Sequence, residues 1–181
     1  MPELQLTMGP DPIFRKHAET VTEFGEELAS LTDQMLEVLY REKGIGLGAN
    51  MVGILKRIIV VDLQIDGNRQ PLVCINPEMI SCSKEKAKNE EASLCFPGIR
   101  AVIERPSSIK IKYQDVDGAQ HELEADGWLA TVIQHEMEYL EGKTFLDNLS
   151  KLKQERLVKK MLKEQKNAHL HCHDPNCGHH H

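Results

Sequence analysis

No run of 18 apolar residues occurs anywhere in the 181-residue chain, so no membrane-spanning helix and no membrane partner is expected. The opening Met-Pro-Glu-Leu-Gln-Leu has neither a basic region nor an apolar core, so no secretory signal is expected either. Positive charge is not in excess. The formal net charge is -6, which argues against general nucleic-acid binding, and no DNA partner is expected. The five cysteines are irregularly spaced and read as reduced thiols, not a disulfide framework. There is no internal repeat. These absences together point to a cytoplasmic protein. The rest of the composition, 28% charged and 40% hydrophobic, is that of an ordinary globular domain.

The most informative stretch is 127–142. Leu129, Val132, Ile133, Met137 and Leu140 recur at helical spacing, so one side of this helix belongs in a core. Asp126 is a candidate N-cap and Gly142 a candidate stop. Within it, His135-Glu136-Met137-Glu138-Tyr139 is one residue away from H-E-x-x-H, the spacing that puts two imidazoles on one helix face with a general-base Glu between them. Tyr139 stands where the second His would be.

Other elements are readable in order. Pro12 opens a short helix to about His17, and the apolar stripe Leu28, Leu31, Met35, Leu36, Val38, Leu39 predicts a helix over about 22–42. The small-residue segment 44–49 reads either as backbone that must pass close to something or as a tight loop after the helix. Ile58–Leu63 is a β-branched strand, followed by a turn at Asp66-Gly67-Asn68 and a returning strand, Leu72–Ile75, that ends at Asn76-Pro77. The charged run 85–91 reads as a solvated strand or loop. Strands follow over 99–103, 108–115 and 120–125, and a last helix over about 149–166. The order predicts an α+β fold with antiparallel sheets folded around the motif helix, and a C-terminal helix.

Residues 151–166 carry seven Lys/Arg and two Asp/Glu, which fits either a solvated helix face or docking on an acidic or RNA surface. The expected division is a domain over 1–166 and a His/Cys-rich tail over 167–181, disordered without metal. That tail, with His169, His171, Cys172, His173, Cys177 and His179–His181, reads either as a metal-holding segment or, for its final histidines, as a tag remnant.

Three segments, in order, resemble the peptide deformylase family. Gly44-Ile45-Gly46-Leu47-Gly48-Ala49-Asn50-Met51 is similar to G-x-G-x-A-A-x-Q. Glu91-Ala92-Ser93-Leu94-Cys95 is similar to E-G-C-L-S, and Gln134-His135-Glu136-Met137-Glu138-Tyr139 to Q-H-E-x-D-H. Pro10-Asp11-Pro12, Asn76-Pro77, Arg100 and Leu140-Glu141-Gly142 also look like the family, so the resemblance covers about residues 5–165. It implies a metal-dependent hydrolase that removes the formyl group from N-terminal methionine. It also implies a groove lined by Ile45, Gly46, Leu94, Gly98, Arg100 and Val132, with Glu136 as general base.

The departures fall on the chemistry. The family's three metal ligands match Ser93, His135 and Tyr139, so His135 alone is retained, and the oxyanion-donating Gln matches Met51. A structural zinc site supplies about 10–16 kcal/mol from four ligands, or roughly 3–4 kcal/mol each. One imidazole would then hold metal at about millimolar. Without metal, the attacking water keeps a pKa near ~15.7 instead of ~7. Cys95 lies two residues from Ser93. In an extended segment the two would share a face about 6.5–7 Å apart, too far for exchange, so Cys95 reads as a small buried thiol.

Three functions follow as expectations. The first is a deformylase-like protein with no metal in its core site, binding nascent or formylated peptides or regulating an active enzyme, and docking on the ribosome through its basic last helix. The second is an active deformylase or amide hydrolase using Fe, Zn or Ni in an altered site. In the third, the His/Cys tail is the functional, metal-holding part.

Overall fold

The computed structural model describes residues 2–172. Three α-helices and seven strands make an α+β fold: α1 (Glu26–Arg41), β1 (Gly46–Gly48), β2 (Ile58–Val61), β3 (Leu72–Cys82), β4 (Lys86–Ser93), β5 (Phe96–Pro106), β6 (Ser108–Gln114), β7 (Gln120–Asp126), α2 (Gly127–Leu140) and α3 (Lys151–Cys172). All strand pairings are antiparallel. One sheet has five strands in the order β1-β2-β3-β6-β7; β4 and β5 form a separate hairpin. No helix among the described residues is long and apolar enough to cross a membrane.

Strand β2 explains the layering. All four of its residues are buried, and they alternate in destination. Ile58 and Val60 enter a core with α1, β5 and Phe145; Ile59 and Val61 enter a second core with β6 and α2. The motif helix α2 lies between these cores. Ala130, Ile133 and Leu140 join one, and Tyr139 joins the other. It is therefore buried round most of its circumference, not on one side as its apolar spacing suggested, because Gln134, His135 and Glu136 are buried too.

Several boundaries differ from the sequence reading for physical reasons. Segment 44–49 is not a simple loop: Gly46–Gly48 pair with Ile59–Val61, and a 3₁₀ turn follows over Ala49–Val52. Strand β3 does not stop at Asn76-Pro77. Asn76 adopts φ 51° at a register shift, where its side chain bonds Val21 on both backbone polar atoms, and pairing with β6 resumes at Glu78. Pro77 is thus absorbed in a bulge. Helix α1 begins at Glu26, after Gly25 at φ 142°. Asp126 does occupy the N-cap of α2 but makes no side-chain cap bond. Gly142 follows the C-cap in the left-handed region (φ 71°), and its N–H closes on the Tyr139 carbonyl at 3.1 Å. Helix α3 runs to Cys172, past the expected end near Lys166. The remaining tail positions, Cys177 and His179–His181 among them, lie outside the described residues.

Candidate functional site

Strand β1, the turn between β4 and β5, and helix α2 enclose a cavity of about 460 Å³. Its wall includes Ile45, Gly46, Met51, Ser93, Leu94, Arg100, Val132, His135 and Glu136, so most residues singled out from the sequence meet here. Gly98 does not. It sits at φ 78° facing Glu164 of α3, because the β4–β5 hairpin turns its backbone away from the cavity. Tyr139 does not line the cavity either; it is fully buried behind it. Gly46 is required by close approach: a Cβ there would lie 2.7 Å from Glu136 Oε1 and 2.8 Å from Val132 Cγ1.

The positions matching the missing ligands now bond each other. Ser93 Oγ and Tyr139 Oη are 2.5 Å apart, and the Cys95 N–H reaches Ser93 Oγ at 3.3 Å. Tyr139 is wedged edge-on against Phe14, with ring centroids 5.4 Å apart. Burial pushes its phenol well above the ordinary value, and the neighbouring Cys95 and Glu136 add to that. It is a neutral phenol at physiological pH. Among the described residues, no group of three or more His, Cys, Asp or Glu side chains is placed to hold a metal ion. Two mutually bonded hydroxyls, one of them a phenol held neutral, and a single imidazole do not fit the metal that the family resemblance implies.

Cys95 is fully buried, as expected of a small buried thiol. The geometry assumed for it is wrong, however. Leu94 and Cys95 form the two-residue turn between paired Ser93 and Phe96, so the segment is not extended. Burial raises the thiol far above its ordinary value, and nearby Glu136 pushes in the same direction. Such a thiol stays protonated and is a poor ligand.

The retained histidine is held by a network that sequence reasoning missed. His135 Nδ1 bonds Glu91 Oε1 at 2.7 Å. Arg105 donates to both Glu91 oxygens, at 2.7 and 2.9 Å, and also bonds Glu138. Burial pushes the Glu91 carboxyl up, but the bonds from His135 and Arg105 and their charges outweigh it, so it sits below the ordinary range and is ionised. One signal was present. Ile99, Ala101 and Ile103 alternate inward along β5, and Arg105 is next in that series. An arginine in an inward series demands a buried carboxylate. Glu90, Lys43 and Trp128, also in the wall, carried no recognisable signal.

Glu136 is the unusual group. Its Oε2 is buried with no hydrogen-bond partner among the described residues. Burial, reinforced by the Glu91 charge, pushes its carboxyl up to about 7, against the pull of His135, Arg105 and the Gly48 N–H. Met51 stands where the family resemblance implies an oxyanion donor. Its sulfur accepts the Gly48 N–H at 3.2 Å, and it has no proton to offer a developing oxyanion.

The comparisons with known proteins agree with this architecture. A protein from Rickettsia conorii described as peptide deformylase-like is 51% identical over 178 residues, covering 98% of this chain and 97% of its own. A peptide deformylase of Zymomonas mobilis is 45% identical over 162 residues, covering 87% and 92%. The crystal structure of peptide deformylase from Ehrlichia chaffeensis superposes with a TM-score of 0.86 at 32% identity, covering 92% of this chain and 99% of that one. The match with the Rickettsia protein takes in 178 of the 181 residues, so most of the His/Cys-rich end lies inside it. The family model described as polypeptide deformylase matches residues 4–155, and with the relatives and the shared fold it shows that this chain belongs to the polypeptide deformylase family.

Proposed function

We propose that this chain keeps the deformylase fold and its peptide groove but has given up metal-dependent deformylation, and that it binds peptide N-termini of the methionine type as a binding or regulatory protein. The observation that carries this reading is the 2.5 Å bond between Ser93 Oγ and Tyr139 Oη. Two groups that should converge on a metal instead satisfy each other, and the phenol is locked protonated by its burial. His135 alone would hold metal at about millimolar. Glu136 would then face unactivated water, and Met51 would leave the oxyanion without its side-chain donor, a loss of about 3–4 kcal/mol.

The groove itself supports binding. It is lined by apolar Ile45, Met51, Leu94 and Val132 beneath a mouth carrying Trp128 and Arg100. A second contact surface fits the same role. All seven Lys/Arg of 151–166 are exposed on α3, as docking on an acidic or RNA surface such as the ribosome requires. The test pairs elemental analysis with turnover of formyl-methionyl peptides, on the full chain and on His135→Ala. The expected result is no metal that disappears on His135→Ala and no deformylation above background. A full equivalent of Zn, Fe or Ni lost on that substitution, together with turnover, would establish an active deformylase with an altered metal site instead.

A further inference from the structure

Helix α3 outruns its packing. Leu157, Val158 and Met161 pack on the core, and Gln165 is the last half-buried residue. Lys166, Asn167, Ala168, His169 and Leu170 are all exposed, yet the helix continues to Cys172. Asn, His and Cys are weak helix formers, and short helical segments in water are held mostly by packing. Neither propensity nor packing among the described residues accounts for this extension.

The extension is also where metal-ligating residue types gather. Positions 169 and 172 share a helix face, and 171 lies off it. His173 and Cys177 come next in the sequence and lie outside the described residues. His169 and His173 are separated by three residues, Cys172 and Cys177 by four; both are spacings of zinc sites with two Cys and two His. The carboxyl end of a helix carries unpaired carbonyls and partial negative charge, which favours a cation there. The terminal His179–His181 are not needed for this set. At most three residues of the chain fall outside the match with the Rickettsia conorii protein, so 169–177 lie inside it whichever end they come from. No residue of α3 lines the central cavity.

We infer that the end of α3 and the residues after it form a zinc site, with His169, Cys172, His173 and Cys177 as its four ligands. Two thiolates and two imidazoles suit tetrahedral zinc, a metal with no redox chemistry of its own. Binding releases the two thiol protons to solvent and changes no oxidation state. The site is independent of Ser93, His135 and Tyr139, and it stands whether or not the core deformylates.

The experiment uses the full-length chain carrying His179→Ala, His180→Ala and His181→Ala, so that the terminal histidines cannot bind metal. The protein is kept reduced and stripped of metal. Zinc is titrated against a chromophoric chelator, and cobalt replaces it for absorption spectra. One equivalent per chain should bind, and the cobalt form should show thiolate-to-metal charge transfer. His169→Ala, Cys172→Ser, His173→Ala and Cys177→Ser should each weaken zinc about 100-fold or more, since each removes one of four ligands. His171→Ala and His135→Ala should leave the affinity unchanged. The inference is overturned by one zinc shared between two chains, by cobalt spectra without the thiolate band, or by metal that survives Cys172→Ser combined with Cys177→Ser. No stoichiometric zinc at all overturns it and leaves the proposed function standing. Zinc lost on His135→Ala overturns both, because the metal then belongs to the core.

Discussion

Glu136→Gln should stabilise this protein, and by an amount that depends on pH. The carboxyl is almost fully buried on the cavity wall, and burial moves it from an ordinary 4.5 to about 7. The folded chain therefore holds this proton at pH values where the unfolded chain has released it. Stability must fall as pH rises from about 4.5 to about 7, and the full penalty persists above that. A displacement of this size is worth roughly 3 kcal/mol. Glutamine keeps the shape but carries no charge to desolvate. Urea unfolding of both proteins should show the variant more stable by roughly 3 kcal/mol at pH 8, and nearly equal at pH 4, where Glu136 is protonated in both states. Glu91 works the other way. Its folded value is lowered, so its contribution is present above its unfolded value and is lost on acidification. It is common to both proteins and cancels in their difference. A variant no more stable than the parent at pH 8, or equally stabilised at pH 4 and pH 8, would refute the claim that Glu136 is a desolvated carboxyl.

Two other substitutions probe the same region. Arg105→Ala would leave the buried Glu91 carboxylate with His135 alone and Glu138 without its cation, and should cost about 3–5 kcal/mol in urea unfolding at pH 7; a loss below about 1 kcal/mol would mean the network contributes little. Ser93→Cys with Tyr139→His should gain metal by elemental analysis but lose about 2–3 kcal/mol of stability, because imidazole leaves space beside Phe14, and adding Met51→Gln should raise formyl-peptide turnover about 10²–10³-fold over the double variant.

The architecture was legible where pattern and burial coincide. The apolar spacing of α2 and the β-branched run of β2 were visible because each serves a core directly. The near-match to H-E-x-x-H placed His135 and Glu136 on one helix, and both line the cavity. What was illegible depends on long-range contact. Strand β3 passes Pro77 because Asn76 finds Val21, 55 residues away. Gly98 leaves the site because a hairpin turn rotates it toward α3. The end of α3 was misplaced because composition changes near residue 167 while its helical backbone continues to Cys172. The bond between Ser93 and Tyr139 joins residues 46 apart, and no local pattern announces it.

That bond also separates two explanations of what the site retains. His135, Glu91, Arg105 and Glu138 form the kind of outer network that orients a ligating imidazole, and it is complete here although two ligand positions are occupied by hydroxyls. Persistence of the network could be taken as a sign that metal chemistry persists. The energetics argue differently. Arg105 and Glu91 are both more than nine-tenths buried, and each is the other's principal partner. Removing either strands a charge in the interior, at a cost of about 3–5 kcal/mol, a large share of what holds a domain of this size together. Exchanging a ligand is different in kind. A hydroxyl at 93 meeting a hydroxyl at 139 leaves no charge and no orphan behind, and the phenol ring still fills the core beside Phe14. The network is thus anchored by folding stability, whereas the ligands that the family resemblance implies would be held only by the metal. On the reading proposed above, a chain that stops using the metal can exchange its ligands at little cost while its outer network stays in place, and the bonds around His135 fit that order of events.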